Sequence, residues 1–357
     1  MNIIDYINKN GKYSFLEKEL NEVDKLIFSN LSYVDYKNII DNSHYNKKRL
    51  EDVGNEFFKK EYDKGKKILA VRGGINVLKA MYNTNRYKNL LLYNYESIIN
   101  DKQQFSVITI EINSKLLYVS FGGTDDKTIG WKEDFELAYK KNIKSHNSAV
   151  RYLNKNFTFR NCKIIIVGHS KGGNVGLVSS MYANFFVRRK ILQIYSYDGP
   201  GLLKKELESK RYMRVNSKYI HIIPNNAVVG IMLYSLNNEI IKTKHIGILS
   251  HFALNWEVDD NNLISDYLKK SAIELQESMN VWLEKYNDEQ KELFVNEMFS
   301  MFNNNNINSL VEIAEKPSML FKLFKEKSKI KNEMFKDFEK MIKRFIFKNL
   351  KEMIFKK

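Results

Sequence analysis

One cysteine, Cys162, and three prolines are all that the 357 residues contain of either type. A single cysteine excludes an intramolecular disulfide and any zinc cluster built on cysteines. Nowhere do about 18 uncharged apolar residues run together, so no membrane-spanning helix is signalled. The opening MNIIDYINKNGKYSF has no basic segment followed by an apolar one, as an export signal would. The expectation is a cytoplasmic protein. Glycine is also scarce, sixteen in all and none after Gly247. Nine of the sixteen fall between Gly122 and Gly201, where their freedom of φ and small size suit tight turns around a site. What the chain has in quantity is apolar and basic residues. With 43% apolar residues it can bury a core, and 58 Lys and Arg against 42 Asp and Glu give a formal net charge of +16.

Strand-like and helix-like segments alternate through the glycine-using part. Residues 105–112 and 115–121 read as strands joined by a turn at Asn113-Ser114, and 130–139 and 148–156 read as helices. The apolar run KIIIV at 163–167 suits a strand covered on both faces, and a helix over 171–184 follows. Residues 191–197, 219–223 and 239–244 offer three more strands. This order predicts an α/β fold with a mostly parallel sheet and helices on both faces. Beyond Gly247, apolar residues recur every three or four positions, so an α-helical C-terminal region is expected, divided from the body at about residue 260 (1–260 and 261–357), with 303–306 as a loop.

After KIIIV comes Gly168-His169-Ser170-Lys171-Gly172-Gly173, a G-x-S-x-G pattern with a buried strand before it and a helix after it. A sharp strand-to-helix turn exposes the serine, and glycines two residues to either side let the chain fold tightly around it. Ser170 is therefore the candidate nucleophile. The Lys171 N–H, at the helix N-terminus, points to where an oxyanion would form.

Four spaced motifs carry a resemblance. Phe121-Gly122-Gly123-Thr124-Asp125-Asp126, Gly130-Trp131-Lys132-Glu133-Asp134-Phe135, the serine motif through Asn174, and Tyr197-Asp198-Gly199-Pro200-Gly201 resemble, in this order, the Mbeg-like bacterial proteins. These are lipase-like α/β-hydrolases related to class 3 lipases, and the resemblance extends over most of 1–258. It implies the α/β-hydrolase fold and a hydrolytic reaction. Class 3 lipases read F-R-G-[ST] where this chain has Phe121 to Thr124, which places Thr124 as the second oxyanion donor. The family keeps a histidine before a Trp-x-Val element, which Ser250-His251-Phe252 and Trp256-Glu257-Val258 match best.

In α/β-hydrolases the triad runs Ser, acid, His along the chain, which removes His44, His146 and His169 as the base. His221 lies in an apolar strand and reads as a satisfied core histidine. His251 and His245 remain, with His251 preferred. Asp198, at the end of the strand after the nucleophile strand, is the candidate acid; Asn226, in the Asn225-Asn226 segment, is the alternative support for the histidine. Asp125, Asp126, Glu133 and Asp134 read as caps around a helix N-terminus rather than as metal ligands. Cys162 reads as inert packing. No phosphate-binding loop or intact dinucleotide fingerprint follows a strand, so no cofactor is expected.

Residues 318–357 carry 13 Lys and Arg against 5 Asp and Glu, on a helical apolar spacing that includes Phe338, Phe345 and Phe355. Two readings fit: a helix packed on its neighbours, or an amphipathic surface for anionic lipid. Nucleic acid is disfavoured because no nucleic-acid motif accompanies the charge. The expected function is a serine hydrolase of carboxylic esters, of a lipid or lysolipid, through an acyl-enzyme. The alternative is a weakly active scaffold that binds a membrane or partner through its C-terminal helices.

Overall fold

The computed structural model describes residues 1–60, 69–125, 128–305, 307 and 333–355, with side chains in the last stretch to 345. Its eight strands are β1 (Lys48–Arg49), β2 (Leu91–Asn100), β3 (Gln103–Asn113), β4 (Leu116–Phe121), β5 (Lys163–His169), β6 (Ile191–Tyr197), β7 (Tyr219–Pro224) and β8 (Glu239–Ile241). They lie side by side in sequence order in one sheet. The first four pair antiparallel, and β4 to β8 pair parallel.

Parallel neighbours need crossovers; helices supply those from β4 to β7, and the non-helical segment 225–238 links β7 to β8. Before the sheet's parallel half come α1 (Ile3–Asn10), α2 (Glu22–Leu31), α3 (Leu50–Lys59) and α4 (Leu69–Met81). Between β4 and β7 run α5 (Thr128–Glu136), α6 (Lys144–Phe157), α7 (Lys171–Tyr182), α8 (Phe185–Lys190), α9 (Lys204–Leu207) and α10 (Lys210–Met213). Alternate side chains decide which face each strand presents. Leu117, Val119, Phe121, Ile164 and Ile166 pack with α6 and α7, whereas Tyr118, Ile165 and Val167 pack with α1, α2 and α4. Both faces of the central strands are buried, so the run KIIIV reads apolar throughout. The fold is therefore α/β, with a mostly parallel sheet, helices on both faces and a helical C-terminal region.

The expected strand over 239–244 ends at Ile241, and beyond it Thr243 makes a single bridge to Trp256. Among the described residues, three helices follow: α11 (Lys270–Lys285), α12 (Asp288–Asn304) and α13 (Glu333–Phe355). Asn303 and Asn304, expected in a loop, complete α12; Asn306 lies outside the described residues. No described helix is long and apolar enough to cross a membrane.

The apolar stripe of α13 meets protein. Phe338 packs against Phe294, Trp282 and Phe135, with ring centroids 5.2, 5.9 and 6.3 Å apart, and Phe345 packs on the cluster around Ile223 and Leu275. Residues 318–332 and the Phe355 side chain lie outside the described residues. Phe338→Ala is expected to destabilise the protein by about 2 kcal/mol, less than the cost for a fully buried phenylalanine because the ring is partly exposed. Chemical denaturation checks this; an unchanged midpoint would remove the ring from the core.

Candidate active site

Ser170 stands between β5 and α7 at φ 58° and ψ −138°, a region that residues with a Cβ seldom enter. Its neighbours hold it there. A Cβ on Gly168 would lie 2.3 Å from the Gly172 carbonyl, and one on Gly172 would lie 2.2 Å from the Phe121 carbonyl oxygen. Both glycines are thus dictated by how closely β5, α7 and the end of β4 approach. Ser170 N–H donates to the Tyr197 carbonyl at 2.9 Å, which ties the turn to β6.

Asp198 follows β6, fully buried and also at positive φ, 49°. Its Oδ1 accepts the Gly230 N–H at 2.8 Å, and its Oδ2 lies 2.6 Å from His251 Nδ1. The carboxylate accepts, so Nδ1 carries the proton and Nε2 keeps its lone pair. His251 is at the end of a 3-10 turn, Gly247–His251, and is 5% exposed. Ser170 and Asp198 thus follow the C-terminal ends of two paired strands, β5 and β6, where open α/β sheets form their crevice, and the bond to Asp198 holds the His251 ring there. His245 is exposed, and its carbonyl accepts from Asn226 Nδ2 at 3.1 Å. Asn226 braces that loop and also bonds Asn225; the group on the His251 ring is Asp198.

His169, set aside as a base by chain order, has a different place. Its Nε2 is 2.7 Å from the His251 carbonyl oxygen, which can only accept, so Nε2–H donates. Its Nδ1 must then accept, and the Tyr33 hydroxyl donates to it at 2.7 Å. His169 is held neutral in one tautomer, and burial, with His251 close by, pushes its pKa down to about 3. Ser250 is held too, by Trp256 Nε1–H on its carbonyl and by its own hydroxyl on the Asn226 carbonyl. The backbone of the histidine loop is therefore fixed on both sides of His251. Tyr33 and His169 escape sequence reasoning because 136 and 82 residues separate the bonded pairs.

The loop after β4 lies against the serine. A Cβ on Gly123 would come within 2.2 Å of the Tyr33 hydroxyl and 3.0 Å of Ser170 Cβ. Thr124 Oγ1 donates to Asp134 Oδ2 at 2.6 Å, and burial pushes the Asp134 carboxyl up to about 6. Among the described residues, the amides of Thr124 and Lys171 donate to no partner. The Lys171 side chain turns away and is fully buried, donating from Nζ to Glu133 Oε2 and to the Gln104 carbonyl, both at 2.9 Å. Glu133 also accepts from Gln104 N–H and from the Ser145 N–H and hydroxyl.

Glu133 and Asp134 therefore correct one expectation. They do not cap α5, which has no acid in its first turn; they lie in its later half and face inward, joining α5 to α7 and to Thr124. Asp126 lies outside the described residues. No group of three or more potential metal-ligating side chains occurs among the described residues.

Two further buried histidines hold the surrounding loops. His146 Nδ1 accepts the Ile143 N–H, so its Nε2–H donates to Asn174 Oδ1, and Asn174 donates to the Pro200 and Gly201 carbonyls. This links the helix of the serine motif to the turn that carries Asp198. His221 Nε2–H donates to the Gly199 carbonyl at 2.8 Å. Cys162 is buried, and burial raises its thiol pKa.

Comparison with known proteins adds three findings. The Mbeg1-like family model matches residues 81–300. The crystal structure of M37 lipase is similar with 13% identity over 58% of this chain and 68% of that chain, at a TM-score of 0.31. No curated protein matches.

Proposed function

Because the chain belongs to the Mbeg1-like family, we propose that it is a serine hydrolase of carboxylic esters, acting on a lipid or lysolipid. The observation that carries this reading is one arrangement: a strained serine, a buried carboxylate–imidazole pair and two unpartnered amides on neighbouring strand ends. In the proposed reaction Ser170 Oγ attacks the acyl carbon and passes its proton to His251 Nε2. Asp198 holds the Nδ1–H and stabilises the imidazolium. The amides of Thr124 and Lys171 receive the oxyanion, with Thr124 steadied by Asp134. His251 returns the proton to the leaving alcohol, and water then releases the acyl group by the same steps in reverse order.

A cavity of about 160 Å³ beside His169 is lined both by apolar Leu249, Phe252 and Leu254 and by polar Asn30, Arg72 and Asn76, so an acyl chain bound there would meet a mixed wall. The proposal keeps a hydrolase body over 1–260 and a helical region over 261–357, in a cytoplasmic protein. Contact of 318–357 with an anionic membrane would rest on exposed Lys336 and Lys340, not on insertion of Phe338, which packs on Trp282 and Phe294.

Labelling by a fluorophosphonate probe tests the reading directly. Wild type is expected to label covalently and Ser170→Ala not at all. Equal labelling of the two, or none of wild type at active-site saturation, would remove Ser170 from the chemistry.

A further inference from the structure

The opposite edge of the sheet carries a feature that hydrolysis does not use. Three segments, 155–163, 182–192 and 209–219, lead into the first residues of β5, β6 and β7, which are neighbours in the sheet. Together they hold ten Lys and Arg and no Asp or Glu. Hydrogen bonds knit them into one surface. Lys190 Nζ donates to the Phe157 and Thr158 carbonyls, Lys218 Nζ to those of Arg188 and Ile191, and Asn184 Nδ2 to the Thr158 hydroxyl.

The charge there is uncompensated. Of the ten cations, only Arg160 has an acidic partner among the described residues, and that acid, Glu111, is shared with Lys47. The nearest acid along the chain, Glu208, precedes the third segment. The cations crowd one another: burial and neighbouring Arg214 lower the Arg188 pKa, and burial and Lys163 lower that of Lys218. Among these charges stand apolar side chains in water. Phe159 is 98% exposed, Met213 61%, Phe186 60%, Phe185 55% and Leu192 43%.

We propose that this edge, formed around Phe159, Phe185, Phe186, Arg189, Arg211 and Arg214, docks on an anionic lipid bilayer. Basic groups draw a protein to anionic head groups, and apolar side chains among them enter the acyl boundary. A nucleic acid would use the charges and could stack on the phenylalanines, but it has no use for projecting Leu192 and Met213. The surface is distinct from the candidate site, which lies at the other ends of the same strands. Seven residues of β5 separate them, about 20 Å at the rise of a strand. Docking and hydrolysis are therefore separable.

The test is co-sedimentation of the full chain with vesicles of phosphatidylglycerol and phosphatidylcholine in equal parts, against phosphatidylcholine alone, at 0.1 M and 1 M salt. Wild type is expected to prefer the anionic vesicles at least tenfold. The triple variant Arg189→Gln, Arg211→Gln, Arg214→Gln should lose about a hundredfold at 0.1 M salt. Phe159→Ser, Phe185→Ser, Phe186→Ser should lose the binding that survives 1 M salt, where charge is screened within about 3 Å. Both variants should keep wild-type melting temperature and hydrolysis of a soluble ester, because the changed side chains are exposed and far from Ser170. A Lys336→Gln, Lys340→Gln, Lys343→Gln variant should lose far less binding than the arginine variant. The proposal is overturned if wild type does not distinguish the two vesicles, or if the lysine variant alone loses binding. It is equally overturned if a single-stranded oligonucleotide binds more tightly than the anionic vesicles.

Discussion

Ser170→Ala is expected to lower kcat for a short-chain ester about a millionfold, the loss found when a serine triad loses its nucleophile. The residual rate should remain about a thousandfold or more above water, because the Thr124 and Lys171 amides and the binding surface survive. The fold should not suffer. Ser170 holds the turn through its backbone, N–H to Tyr197 and carbonyl to Gly173, and alanine keeps both bonds. A steady-state assay beside a melting curve checks both halves. Activity within tenfold of wild type would end the nucleophile assignment, whereas a large fall in melting temperature would make the loss of rate uninterpretable as chemistry. His169→Phe supplies a graded comparison: it leaves the nucleophile and removes the donor to the His251 carbonyl, so its effect should fall on kcat and be smaller.

How much of this was legible beforehand follows from the range of each interaction. The β5 strand, the turn at Ser170 and α7 stand out because everything they need lies within twenty consecutive residues: an apolar run, flanking glycines and a helix entry. β2 does not stand out. Asn94 sits at φ 53° and the register with β3 shifts between Tyr93 and Glu96, so its alternation breaks where a reader would look for it. Glu133 and Asp134 read as caps from the sequence because acids near a helix start usually are; nothing local shows that Lys171 and Thr124 come to face them. The terminal helix shows the same limit. Its spacing announces an apolar stripe over Phe338, but whether lipid or protein covers that stripe depends on Trp282 and Phe294, which approach only in the folded chain.

Asp198→Asn should reduce kcat about ten-thousandfold with little change in stability, and the two carboxylate oxygens explain why. Oδ1 accepts the Gly230 N–H at 2.8 Å, so the asparagine carbonyl takes that position and keeps the bond. Its NH2 group must then occupy the Oδ2 position, 2.6 Å from His251 Nδ1. A donor facing Nδ1 forces that nitrogen to accept, which moves the imidazole proton to Nε2. His251 then presents N–H to Ser170 and cannot take the serine proton, although every heavy atom is nearly in place. Asp198→Ala makes the contrast. It removes the wrong donor and also the bond to Gly230, so it should cost stability while leaving the imidazole free to adopt either tautomer. If Asp198 only braced the loop after β7, the order would reverse: asparagine would be nearly silent, and alanine would cost rate in proportion to lost folding. Measuring kcat and melting temperature for both variants decides between the two roles, and a fall of less than tenfold for Asp198→Asn rules out the carboxylate as the partner of the base.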